Sequence, residues 1–156
     1  MYNIGMDKRV WAARFLLVLN ILLLASAWLM SLSAYAGLPL KLGARLSFLG
    51  LEYGPPARSP LFFILPLAQS LITLAFAFSS RRLLGRGDFP RKERLRTEYR
   101  FLALIFVNSI FIHLQRNNVS LAYLGEPSFS LPYLIGLTAV TVLVLAMSRL
   151  VSRYPL

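Results

Sequence analysis

Four long blocks of this sequence are free, or nearly free, of Asp, Glu, Lys and Arg, and that leaves few folds open to it. The first runs from Phe15 to about Tyr35, between Arg14 and Lys41. The second runs from Ser59 to Ser80, between Arg58 and the Arg81–Arg82 pair. The third begins after Arg100 and stays apolar to about Leu121, with polar interruptions near its end. The fourth runs from Leu131 to Ser148 and stops at Arg149. About 20 helical residues, at ~1.5 Å rise each, cross a ~30 Å hydrocarbon core. The blocks therefore predict an all-α integral membrane protein of four transmembrane helices, over about 11–35, 59–80, 91–121 and 131–151, within one domain covering 1–156. More than half of the residues are apolar, an excess over soluble proteins that is confined to these blocks.

The flanking charges predict an orientation. Lys8, Arg9 and Arg14 precede the first block, and Arg149 and Arg153 follow the fourth. Between blocks two and three lie Arg81, Arg82, Arg86, Arg91, Lys92, Arg94, Arg96 and Arg100. Only Lys41, Arg45, Arg58 and Arg116 fall on the opposite side, so thirteen of the 17 basic residues share one side. By the positive-inside rule that side is cytoplasmic, with both termini on it and one longer outer loop after the first helix. Trp11, Tyr35, Tyr99, Tyr123, Tyr133 and Tyr154 lie near block ends, as interfacial aromatic belts do. Lys8 and Arg9, an apolar run and Ala34-Tyr35-Ala36 resemble a cleavable signal peptide. The run exceeds the ~7–15 residues of such a segment, so a retained helix is expected.

The net charge of +11 has the same origin. Basic residues that flank apolar blocks are orientation signals, and no aromatic–basic interleaving or zinc spacing points to nucleic acid, so no nucleic-acid partner is expected. The stretch from Arg81 to Arg100 is instead a candidate contact for anionic lipid head groups, through Arg81, Arg82, Arg86, Arg91, Lys92, Arg94 and Arg96. Its Arg86-Gly87-Asp88 triplet looks like an adhesion motif but falls on the cytoplasmic side. Asp88 and Pro90 are start signals for a helix that continues into block three for about 30 residues, or ~45 Å, projecting beyond the membrane.

Polar residues inside the blocks are few. Asn108 and Gln115 are seven apart, hence on one face of the third helix, where amides bond neighbouring helices. His113 lies three and four residues from Arg116 and Asn117, on one face near the outer boundary. A chain with one histidine and no cysteine cannot by itself build a zinc or bis-histidine haem site, so no cofactor is expected. No ionisable residue lies deep in any block, which argues against a proton- or ion-coupled transporter working alone. The outer loops carry the carboxylates Glu52 and Glu126, which can meet Arg45, Arg58 or Arg116. With His113 these six form the candidate outer-face contact set. Small-residue pairs at Ala27/Ser31, Thr73/Ala77 and Ala75/Ser79 permit close helix packing against a neighbour in the bundle, a partner protein or a second copy.

Leu38-Pro39, Gly50 and the run SPLFFILP over Ser59–Pro66, with the basic lead from Glu93 to Arg100, carry a family likeness. The pattern resembles the bacterial membrane domain of unknown function at the amino end of SdpI-type immunity proteins, over about residues 10–120. That likeness implies a non-catalytic, multi-pass protein of the bacterial cytoplasmic (inner) membrane, acting in immunity or signalling through protein or lipid contacts. In the outer loop Arg45 and Leu46 stand where the family has His and Phe, and Gly54-Pro55-Pro56 replaces its Asp-containing turn. Two other classes fit the size. An accessory subunit of a larger membrane complex would use the same faces, and co-purifying partners distinguish it. A four-helix glutathione-dependent transferase needs Arg, Asn and Glu clustered on its second helix, where this chain has Gln69, Ser70 and Thr73.

Overall fold

The computed structural model describes residues 11–38, 60–85, 90–124 and 130–153. They form four helices: α1 (Trp11–Gly37), α2 (Ile64–Gly85), α3 (Arg91–Leu124) and α4 (Leu131–Arg153). A short 3-10 turn, Pro60–Phe63, leads into α2, and no strand occurs among the described residues. Each helix is long and apolar enough to cross a membrane, which makes the chain a multi-pass membrane protein.

The helix starts follow from local chemistry. The Pro90 carbonyl accepts the amides of Glu93 (3.0 Å) and Arg94 (3.3 Å), which opens α3. Glu93 then places a negative charge in the first turn, where the helix dipole favours it. Ser130 plays the same part for α4, its carbonyl accepting the Leu134 amide at 3.2 Å. Pro132 sits within that first turn, where its missing N–H is not needed.

Side-chain contacts set the register. Asn20 of α1 reaches Phe101 and Asn108 of α3, and Ala34 meets Tyr123, so α1 and α3 run parallel. Thr73 meets Asn108 and Phe62 meets Gln115, so α2 runs against them. Ser130 meets His113, so α4 does too. Arg14, Arg81 and Arg100 then all fall about 9–12 Å to one side of the Asn20–Asn108–Thr73 level. This is the basic end. Arg116 lies about 12 Å to the other side, at the His113 end. The ~24 Å between Arg100 and Arg116 suits two snorkelling side chains astride a ~30 Å core.

The bundle is inside-out. α3 is the centre: it packs against α1, α2 and α4, while α4 barely touches α1. Large exposed apolar side chains lie on α1 (Leu22, Leu29, Leu32), α2 (Leu67, Leu71, Phe78) and α4 (Ile135, Val142, Leu143). Among the described side chains of α3 the only one is Tyr123, near its end. The least apolar helix is therefore shielded from lipid by the three others, as the cost of polar groups in hydrocarbon requires.

Candidate functional site

The polar residues of α3 work on two sides of that helix. One side faces the interior. The Asn20 amide donates to the carbonyls of Leu16 (2.8 Å) and Phe101 (3.0 Å). Its own oxygen accepts from the Asn108 amide at 2.8 Å, and the Asn108 oxygen accepts from the Thr73 hydroxyl at 3.3 Å. Three helices are thereby tied together at mid-depth. Seven residues further on, Gln115 donates to the Phe62 carbonyl at 3.3 Å, so the shared face of Asn108 and Gln115 is buried as the spacing implies. Nearby, the Trp28 indole donates to the Ser70 hydroxyl (3.0 Å), which donates to the Pro66 carbonyl (2.7 Å).

These contacts leave a residue. Gln69 is 1% exposed, and neither atom of its amide has a protein partner among the described residues. The side-chain oxygens of Gln115, Asn117 and Asn118 are likewise buried and without one. All four residues lie on the His113 side of the mid-depth triad.

The other side of α3 opens as a cleft of about 500 Å³ lined by Leu23, Ser109, Ile112, His113, Arg116, Ser130 and Tyr133. It exists because α4 leans on α3 and leaves a gap toward α1. The Ser130 amide donates to Nε2 of His113 at 3.3 Å, engaging an imidazole lone pair. The Tyr133 ring lies 4.9 Å from the imidazole, tilted by 53°. Arg116 is exposed at the mouth. On the opposite flank of α4, Leu114, Leu131, Leu134, Ile135 and Thr138 line a second crevice of about 520 Å³, almost wholly apolar.

Of the outer-face residues singled out in the sequence, the structure brings His113 and Arg116 together. Arg45, Glu52, Arg58 and Glu126 lie outside the described residues. Asn117, expected on the same face as His113, is buried instead. At the basic end Arg91 and Arg96 are exposed, and Arg94 pairs with Glu98 at 3.8 Å. Arg81 lies 4.0 Å over the Phe78 ring, a cation–π contact, and Lys92 is half-buried. The Arg82 side chain and Arg86 lie outside the described residues. Ala27 and Ser31 are buried and let α1 approach closely, whereas Ala75 and Ser79 are exposed. Two residues past Thr73 is about 200° around a helix, which turns the Ala75/Ser79 pair outward. Sequence reasoning missed Asn20. Its signal was there: it is the sole amide in an otherwise apolar block.

Compared with protein-family models, with curated proteins and with solved structures, the chain matches none of them.

Proposed function

We propose that this is a non-catalytic protein of the bacterial cytoplasmic membrane, of SdpI-like immunity or signalling type, which acts through contacts made at the His113 end. The basic end, with both termini, faces the cytoplasm in this reading, supported by the concentration of Lys and Arg there. One observation carries the reading: His113, Arg116, Ser130 and Tyr133 converge on an open cleft at a membrane boundary. The interior polar groups, by contrast, are amides and hydroxyls bound to one another and to backbone, an arrangement that holds helices in register rather than one that moves protons or electrons. The exposed basic residues of the other end, Arg91 and Arg96, suit anionic head groups on the cytoplasmic leaflet.

The test is complementation. A strain lacking the gene is scored for sensitivity to membrane-active peptide toxins and for an envelope-stress reporter. The wild-type gene restores both, whereas His113→Ala/Arg116→Ala, present at equal level in the membrane, restores neither. Full rescue by the double variant places the function elsewhere. Isolation in gentle detergent with a stoichiometric set of other membrane proteins would make the chain an accessory subunit instead.

A further inference from the structure

We propose that the His113 cleft seats an anionic phospholipid of the adjoining leaflet, its phosphate against Arg116 and one acyl chain running down over Leu23 and Ile112. This rests on the reading of the His113 end as the working face and names the ligand class for it. Charge is the first argument. Arg116 is exposed at the cleft mouth, and the described carboxylates, Glu93 and Glu98, stand about 27 Å or more away along α3, beyond a Debye length. Arg116 thus presents an exposed guanidinium at the mouth, the group that pairs with the phosphate of an anionic head group.

Depth and shape are the second argument. From Ser109 to Arg116 the cleft extends about 10 Å along the helix axis, from the hydrocarbon to the level where phosphates lie. Its lining changes along that length in the same sense as a lipid does. Arg116 stands at the mouth, and Ile112 and Leu23 lie about 6 and 7.5 Å deeper along the bundle axis, above the Ser109 hydroxyl. The slight contact between α1 and α4 leaves the cleft open sideways, so a lipid enters from the bilayer without the bundle opening. The neighbouring crevice is a built-in contrast: with Leu114, Leu134 and Ile135 but no charge, it accepts acyl chains without discriminating between head groups.

Native mass spectrometry of the purified full chain, released from micelles containing phosphatidylglycerol or phosphatidylcholine, tests this. The wild type retains phosphatidylglycerol in preference. Arg116→Gln lowers that retention about fivefold, the factor corresponding to ~1 kcal/mol per basic residue at a membrane surface, and Arg116→Lys keeps most of it. Arg91→Gln/Arg96→Gln, at the other end, leaves the Arg116-dependent fraction in place. Equal phosphatidylglycerol retention by Arg116→Gln and wild type, or no head-group preference in the wild type, overturns the proposal. The two readings fail separately. Unchanged retention in a His113→Ala/Arg116→Ala variant that does not complement removes the lipid and keeps the working face. Lost retention with full complementation keeps the lipid site and removes its role.

Discussion

The two halves of the bundle interior use the same kind of side chain to opposite ends. At mid-depth, Asn20 and Asn108 make four hydrogen bonds between themselves, Thr73 and backbone carbonyls, and both are fully buried. Toward the His113 end, Gln69, Gln115, Asn117 and Asn118 are just as thoroughly enclosed, yet each has a buried amide atom that no described residue engages. A polar group without a partner costs several kcal/mol in hydrocarbon, and such groups ordinarily take a buried water. Depth separates the two cases. The triad lies where water does not reach, so its polarity is consumed within the protein and fixes the register of three helices. The second group lies toward a membrane boundary, in the half that also holds the cleft. Buried polarity in a membrane bundle is thus glue in one place and spare bonding capacity in another, and only the partners tell which.

The sharpest way to break this contrast is Asn108→Ala. It removes the donor to Asn20 and the acceptor of Thr73 at once, leaving the Asn20 oxygen unpaired at mid-depth. Two interhelical bonds at ~0.6–1.7 kcal/mol each predict a loss of about 2 kcal/mol, read by reversible unfolding in mixed detergent–SDS micelles. A loss under about 0.5 kcal/mol would mean that the triad is incidental. Gln69→Leu should go the other way. It deletes no hydrogen bond to a described residue and puts an apolar side chain of similar volume in a buried site, so it should stabilise by up to about 1 kcal/mol in the same assay. Destabilisation there would show that Gln69 is engaged after all, and the two halves would then differ only in degree.

The four spans could be read from the sequence because their signal is integrated over some twenty residues, and one stray Asn or Ser does not erase it. The start of α3 was marked by Asp88 and Pro90 for local reasons. The face shared by Asn108 and Gln115 followed from seven-residue spacing on one helix. What could not be read was which helix faces which. Asn20 becomes half of a pair only when α1 runs beside α3, 88 residues away in sequence. The outward turn of Ala75 and Ser79 is likewise a matter of helix rotation, which composition does not encode. The cleft is the clearest case. His113 and Arg116 were conspicuous as residues, but Leu23, Ser130 and Tyr133 join them only through the lean of α4 on α3.

The smallest effect concerns how the His113 end is closed, where Gln115 alone of the four amides ties α3 to a neighbouring segment among the described residues. The Tyr123 hydroxyl donates to the Ala34 carbonyl at 2.6 Å and ties the ends of α1 and α3. Gly37 makes room for it: a Cβ there would stand 2.5 Å from that hydroxyl but 3.5 Å from the ring carbon bearing it. Gly37→Ala therefore displaces the hydroxyl, and Tyr123→Phe removes it, so each alone should cost about 0.6 kcal/mol, the typical worth of one such bond in a membrane protein. Together they should cost less than the sum. Once the oxygen is gone, the new methyl meets the ring at ordinary contact distance, and the bond cannot be lost twice. A double-mutant cycle in the micelle assay should show a coupling of about 0.5 kcal/mol in that direction. Strict additivity would mean that Gly37 is not there for the hydroxyl and that the end of the bundle is closed by the packing of Ala34, Leu38, Phe62 and Ala122 alone.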